Sequence, residues 1–161
     1  MRSGFGKIRA AHLRLGAAGE TAAARMFRHE GCEILLRDYR MPKGEIDLIV
    51  RDGLCLVFAE VKTRRAETPE RAAELKGQLR PAQKRRIYRA AFTYLREIGQ
   101  PAVPYRFDYV EVIFLKSRLY AMRHWRSHFG VRSLQSPPGR TGGVNLFRSE
   151  PSGNRKTEKP L

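Results

Sequence analysis

The chain has 161 residues, 42% hydrophobic and 30% charged, enough for one domain with a modest core. Its 32 Lys and Arg residues outnumber 16 Asp and Glu residues, and the resulting net charge of +16 predicts a polyanionic partner, of which nucleic acid is the commonest. No apolar run could span a bilayer, no basic helix has a purely apolar opposite face, and the basic start lacks the apolar segment of a secretory signal, so we expect a cytoplasmic protein without membrane association.

The first half of the chain predicts one helix and three strands. Residues 1–11 are expected to form a mobile basic arm, because charge is frequent and two glycines weaken local structure. Apolar residues at helical spacing predict a helix from about His12 to His29. Three apolar runs then predict strands, at Glu33–Arg40, Glu45–Arg51 and Leu54–Lys62.

The second half predicts two helices, a second pair of strands and a tail. A short helix is expected near Pro69–Leu75, and Pro81 begins a long helix that ends near Gly99. Strands are predicted at Tyr105–Leu115 and Leu119–His124. We therefore expect a domain over residues 12–129. Apolar periodicity fails beyond it, and residues 130–161 are predicted to be a disordered basic tail.

The central pair of strands carries charges in an otherwise apolar context. The two strands meet at Asp52-Gly53, a strong signal for a two-residue hairpin turn. With that turn, Arg51 opposes Leu54, Glu45 opposes Glu60 and Asp47 opposes Phe58. The hairpin then places four charged residues on one face: Glu45, Asp47, Glu60 and Lys62. A three-residue loop would reverse this parity, so the prediction depends on the turn.

These charges predict a divalent-metal site. Asp47 and Glu60 are diagonal neighbours, about 7–8 Å apart at the backbone, and their carboxylates can converge on one ion. Hard oxygen ligands favour Mg²⁺ or Mn²⁺, and Lys62 is placed to act on a phosphate. The alternative is a solvated strand face in which Lys62 pairs with Glu60 and Glu45 with Lys43. Glu45 is accordingly either an accessory ligand or a paired surface acid.

The start of the long helix is densely basic. Arg85, Arg86 and Arg89 are predicted to contact the nucleic-acid backbone. Gln83 and Lys84 are candidates to face the metal site and touch phosphate, with a solvated helix terminus as an equal alternative.

The spacing from Asp47 through Glu60 to Lys62 resembles the PD-(D/E)xK nuclease superfamily. The wider chain, from about Gly16 to Val112, is similar to the YraN-like family of bacterial proteins, through the segments GAAGETAAARMF, EILLRDYR, GEIDLIV, LVFAEVKTRR, RPAQKRRIYRAAFTYL and RFDYVEV. The resemblance implies that Asp47 and Glu60 are metal ligands and that Lys62 is the catalytic lysine. It also implies that Glu20, on the first helix, completes the metal site as the helix acid does in archaeal Holliday-junction resolvases.

The resemblance implies an α/β fold of the restriction-endonuclease type, a mixed sheet flanked by helices. It further implies an endonuclease that uses Mg²⁺ or Mn²⁺ to hydrolyse DNA phosphodiester bonds in branched or structured DNA, as a homodimer. Ile46 departs from the superfamily pattern, which has proline before the aspartate. Two alternatives stay open: a non-catalytic nucleic-acid-binding protein that retains the fold, and an adaptor whose basic tail binds RNA or an acidic protein.

Overall fold

The computed structural model describes residues 3–75, 77–130 and 144–148. Within them the elements are, in chain order, α1 Ser3–His29, β1 Glu33–Met41, β2 Gly44–Asp52, β3 Cys55–Ala66, α2 Pro69–Glu74, α3 Pro81–Glu97, β4 Tyr105–Leu115, β5 Arg118–Phe129 and β6 Val144–Arg148.

The strands form one mixed sheet in the order β1-β2-β3-β4-β5-β6. β3 and β4 are parallel and every other neighbouring pair is antiparallel. A parallel pair needs a long crossover connection, and α2 with α3 supplies it. The predicted fold class is confirmed: this is an α/β fold, a mixed sheet flanked by helices, consistent with a restriction-endonuclease-like fold.

The two faces of the sheet have separate cores. α1 packs on one face, where Phe27 is fully buried against Leu48 and Val57. α3 packs on the opposite face, where Ile87 contacts the cluster that includes Phe58. Alternate residues of the central strands thus enter opposite cores, and full burial of each such side chain contributes roughly 1.5–3 kcal/mol. The central strands are therefore held from both sides.

A buried polar network joins β4 to β5. Asp108 has no exposed surface and accepts hydrogen bonds from Arg106 at 3.1 Å and from the Ser127 backbone N–H at 2.9 Å. His124 Nε2 lies 2.9 Å from the same carboxylate. Asp108 is therefore a structural partner of an arginine and a histidine.

The N-terminal arm was wrongly predicted, since helix α1 begins at Ser3 and includes most of residues 1–11. The predicted start at His12 is preceded by Ile8, Arg9, Ala10 and Ala11, which continue the helix towards the N-terminus. Adding a residue to an existing helix costs far less free energy than nucleating a helix. The disordered tail is also wrong in part, because Val144–Arg148 forms β6 beside β5. Residues 131–143 and 149–161 of that prediction lie outside the described residues.

Two predicted strands are longer than expected. β3 continues from Lys62 to Ala66, because its parallel pairing with β4 extends to Ala66–Leu115. β5 continues from His124 to Phe129, whose ring stacks on Phe107 at 4.9 Å. In both cases contacts between distant segments decide where the strand ends.

In the described part of the chain, no helix has the length and apolar content required to cross a bilayer.

Candidate functional site

The hairpin between β2 and β3 turns one residue later than predicted. Asp52 pairs with Cys55, so Gly53 and Leu54 form the turn, and Gly53 takes the positive φ of 58° that glycine tolerates best. The predicted register is therefore wrong: Arg51 opposes Leu56, and Ile49 opposes Phe58. The partner strand is shifted by two positions, which preserves the parity of the two faces.

The regular pairing of β2 with β3 ends at Leu48–Ala59. Just beyond it, Asp47 Oδ2 accepts a hydrogen bond of 2.7 Å from the Val61 backbone N–H. Ile46 packs in the same cluster as Ile49, so strict alternation does not continue past Asp47. The carboxylate thus replaces a backbone acceptor at the point where the strands separate, which a regular hairpin would not do.

Asp47 and Glu60 form a pair of carboxylates, of which Asp47 is half-buried and Glu60 is buried. Glu60 is only 9% exposed. Burial raises the pKa of Glu60 to about 8, with the charge of Asp47 as the second cause. Burial likewise raises the pKa of Asp47 to about 6, against the opposing effect of the Val61 hydrogen bond. Each carboxylate therefore lacks sufficient positive charge nearby, which a bound cation would provide.

Helix α1 brings Glu20 towards this pair. Gly19 permits a close approach of α1 to β3, because a Cβ at Gly19 would lie 1.8 Å from Thr63 Oγ1. The half-buried Glu20 follows directly, and its charge contributes to the raised pKa of Asp47. The pKa of Glu20 is itself raised, mainly by burial and then by Asp38. Gly19 therefore sets the position of Glu20 relative to the paired carboxylates.

Lys62 is half-buried and lies opposite Glu111 in the parallel pairing of β3 and β4. Glu111 is fully buried but is already neutralised, by Arg64 at 2.9 Å and Arg123 at 3.0 Å. Among the described residues Lys62 has no ion pair. The predicted alternative, a solvated face with Lys62 paired to Glu60, is wrong because Glu60 is buried and forms no hydrogen bond or ion pair with the described residues.

Arg64 is a site-proximal residue that the sequence interpretation missed. It lies two positions beyond Lys62 and holds the Glu111 carboxylate, leaving Lys62 free of that partner. The same alternation that aligned Glu60 with Lys62 would have indicated Arg64 as the next residue on that face. Its partner, Glu111, comes from another strand and could not be identified locally.

The N-terminal half of α3 lies beside the carboxylates. Arg85, Arg86 and Arg89 are exposed, as nucleic-acid contacts would require. Arg86 lies 3.7 Å from Glu45, so this exposed acid pairs with an arginine of α3 and not with Lys43. Gln83 accepts a hydrogen bond of 3.2 Å from the Arg80 backbone N–H and lines a small cleft with Glu45, Glu60, Arg86 and Ile87. Gln83 therefore faces the site.

Lys84 is not part of the exposed basic surface. Only 7% of it is exposed, and its ammonium lies 5.6 Å from the centre of the Phe129 ring. The aliphatic stem is buried against the core while the charge rests over an aromatic face. This corrects the prediction that Lys84 contacts nucleic acid: the longer β5 brings Phe129 to α3 and covers the side chain.

The donor set suits a hard divalent cation. Asp47 Oδ1 and the Glu60 carboxylate have no protein hydrogen bond in the described part of the chain, and Mg²⁺ requires only one or two carboxylates together with water. Within residues 3–75, 77–130 and 144–148, no three Asp, Glu, His or Cys side chains are grouped closely enough to hold an ion by themselves. Glu20 is thus near the pair without forming a three-carboxylate cage with it.

Fold and site together define an α/β protein whose mixed sheet carries two carboxylates of raised pKa and a lysine where two central strands separate. The chain belongs to the uncharacterised protein family UPF0102, whose sequence model matches residues 19–112. It is 46% identical to the UPF0102 protein of Symbiobacterium thermophilum over 102 residues, which cover 62% of this chain and 81% of that protein.

Two further relatives cover more of the chain. The UPF0102 protein of Chlorobaculum parvum is 42% identical over 122 residues, 73% of this chain and 92% of the relative. That of Pelotomaculum thermopropionicum is 38% identical over 116 residues, 71% of this chain and 94% of the relative. The matched family residues 19–112 include Glu20 and the whole β2–β3 hairpin, so the candidate site lies in the shared part.

Proposed function

We propose that this protein is an endonuclease that requires Mg²⁺ or Mn²⁺ and hydrolyses phosphodiester bonds of DNA. One observation carries the proposal: the half-buried Asp47 and the buried Glu60 have pKa values raised to about 6 and about 8, and Glu60 has no ion pair with the described residues. Two carboxylates of raised pKa are unfavourable beside each other, and residues with perturbed pKa values occur preferentially at functional sites.

Asp47 and Glu60 would hold the cation, with Glu20 acting through coordinated water. A bound ion of this type supplies Lewis acidity towards phosphate and a nucleophile of lowered pKa. Lys62 donates hydrogen bonds to a non-bridging phosphate oxygen and offsets the charge that develops there in the transition state. Arg85, Arg86 and Arg89 hold the flanking phosphates on the exposed side of α3.

The resemblance of the Asp47–Glu60–Lys62 spacing to PD-(D/E)xK nucleases, and of the wider chain to relatives of Holliday-junction resolvases, supports branched or structured DNA as the substrate. A junction presents two symmetric scissile phosphates, which favours a two-fold homodimer as the active form.

Cleavage assays on junction, flap, single-stranded and duplex DNA, with Mg²⁺ or Mn²⁺, test the proposal. Asp47→Asn and Lys62→Met are expected to lower the cleavage rate about 100-fold or more, because each removes a group that acts on the transition state. DNA affinity should stay near that of the wild-type protein. Arg65→Met, an exposed change further along β3, is the matched control and should cut normally.

Two outcomes contradict the proposal. If the purified protein binds these DNAs but cuts none of them with either metal, it is a binding protein that retains the fold. If Asp47→Asn and Lys62→Met cut at the rate of the control, the carboxylates and the lysine are not the catalytic centre.

A further inference from the structure

A further cavity lies outside the carboxylate site. It has a volume of about 590 Å³ and opens between the C-terminal half of α3, the end of β1 and the start of β4. Sites of a few hundred cubic ångströms with apolar walls and a few polar groups are typical of small-molecule and nucleotide binding. Of its lining residues, the proposed function uses only Arg89.

Its walls are aromatic and firmly supported. Phe92 and Tyr105 are each 38% exposed, and their rings meet at 81° with centres 6.1 Å apart, so they form a corner. Behind Phe92 lies Tyr88, 4.7 Å away, which in turn stacks on Phe107. A planar ring that enters the corner can stack on one aromatic face and meet the other side-on.

The charges of the cavity are all positive. Lys43, Arg89 and Arg96 line it, and no Asp or Glu is found among its described lining residues. Lys43 and Arg89 have no ion pair within the described residues, and Arg96 donates only to the Thr93 hydroxyl, at 3.3 Å. Thr93 and Gln100 add neutral hydrogen-bonding groups. Aromatic walls, cationic groups and an amide suit an aromatic ring that carries phosphate, which describes a nucleotide.

The cavity adjoins the proposed catalytic cleft. Lys43 precedes Gly44 and Glu45, and Arg89 is three residues from Arg86, which pairs with Glu45 and lines the cleft beside Glu60. Three helical residues span about 4.5 Å along the axis, comparable with the ~3.4 Å between successive nucleotides of one strand. The backbone at Gly44 lies against α3, where a Cβ would come within 2.5 Å of the Arg86 carbonyl oxygen. Cavity and cleft are therefore fixed relative to each other.

We propose that this cavity binds an unpaired nucleotide of the DNA strand whose phosphates follow α3 away from the cleft. The inference rests on the proposed function and names its substrate class: DNA with an unpaired base close to the scissile phosphate. A fully paired duplex hides the faces of its bases, so it offers nothing to stack in the aromatic corner. The pocket thereby selects structured over fully paired DNA.

Fluorescence anisotropy measures the preference directly. The full-length protein, without divalent metal, is titrated with a duplex containing one unpaired thymidine and with the fully paired duplex of equal length. We expect the wild-type protein to bind the first at least about tenfold more tightly, the scale of one stacked base. Phe92→Leu and Tyr105→Leu, which retain apolar volume, should reduce the preference below about threefold without weakening binding of the paired duplex.

A control variant and a second variant protect the test from folding defects. Leu119→Ala changes a residue of similar exposure, 42%, at the opposite end of the β4–β5 pair and should keep the full preference. Arg96→Gln alters an exposed charge of the cavity and should weaken binding of the unpaired site alone. Thermal melting of each variant confirms that it is folded. If both leucine variants retain the preference, or weaken both DNAs equally, the proposal is overturned.

Photocross-linking locates the base. A 4-thiothymidine at the unpaired position is expected to cross-link to the peptide containing Phe92 or Tyr105, and exclusive cross-links to other peptides would overturn the proposal. Chemical cross-links that join the cavity to the chain's own residues beyond 148 would also overturn it. Because binding is measured without metal, the result is independent of cleavage. Asp47→Asn should keep the preference intact, so failure of the nuclease proposal and failure of this one are distinguishable.

Discussion

At the scale of single residues, the protein concentrates unfavourable charge at one place. Asp47 is half-buried and Glu60 is buried where β2 and β3 separate, and the fully buried Glu111 of β4 already has two arginine partners. Lys62 is thus the cation left beside the pair. Glu60 forms neither a hydrogen bond nor an ion pair within the described residues, so it weakens the folded state unless a proton or a metal ion neutralises it.

The raised pKa values predict an unusual pH dependence of stability in the metal-free protein. Between the ordinary pKa of 4.5 and the folded value of about 8, Glu60 holds a proton that the unfolded chain releases. The free energy of unfolding should therefore fall as pH rises from about 5 to 8, by a few kcal/mol in all. Asp47 adds to this fall between its ordinary 3.8 and about 6.

Urea denaturation in EDTA across this pH range measures the effect. Glu60→Gln should remove most of the fall and be more stable than the wild-type protein at pH 8. Glu33→Gln, which changes an exposed acid, should follow the wild-type curve. A wild-type stability that stays level or increases from pH 5 to 8, with Glu60→Gln parallel to it, would show that Glu60 is solvated in the folded protein.

At the scale of elements, the site depends on how closely α1 approaches β3. Gly19 is buried against Thr63, and the glycine is what allows contact of the helix backbone with the strand. Gly16, one turn earlier on the same helix, has nothing within 4 Å of where its Cβ would stand. Gly16 and Gly19 therefore have opposite consequences, although each lowers the helix propensity of the sequence equally.

Alanine at each position separates packing from helix propensity. Gly19→Ala should lower the free energy of unfolding by about 1–3 kcal/mol, because the added methyl overlaps Thr63, and should lower cleavage by displacing Glu20. Gly16→Ala should raise stability by up to about 1 kcal/mol and leave cleavage unchanged. Chemical denaturation and the junction-cleavage assay check both. Equal effects of the two changes would contradict the close contact.

At the scale of the whole molecule, a net charge of +16 coexists with a small acidic site. The exposed arginines of α3 lie next to that site, so the positive charge that would attract a polyanion is on the same side of the protein as the carboxylates. Phosphate contacts of this type release counterions from DNA and make affinity steeply dependent on salt.

The salt dependence of DNA affinity should identify the arginines that contact phosphate. Arg85→Gln and Arg89→Gln are each expected to reduce the slope of log affinity against log salt concentration by about one. Arg25→Gln removes an exposed charge of α1 and should leave the slope nearly unchanged. Binding titrations at several salt concentrations provide the measurement. A similar loss of slope in all three variants would mean that only total charge matters.

Much of this arrangement could be predicted from the sequence. The positions of β1, β2, α3 and β4, and the shared face of Glu60 and Lys62, follow from periods of two and 3.6 residues, which are properties of the local backbone. The turn was predicted one residue early, because Gly53 can take positive φ as either the first or the second of the two turn residues. A shift of two positions keeps Glu60 and Lys62 on the same face, whereas the alternation of β2 is interrupted at Asp47.

The amino-acid sequence by itself determined the element types, the basic character and the D…ExK spacing, since each depends on residues close together in the chain. Only the tertiary structure decided that β2 and β3 separate at Asp47, that Gly19 brings Glu20 to the pair, and that Phe129 covers Lys84. Those features depend on how segments far apart in the chain pack against each other, and the local periodicity of the sequence does not specify that packing.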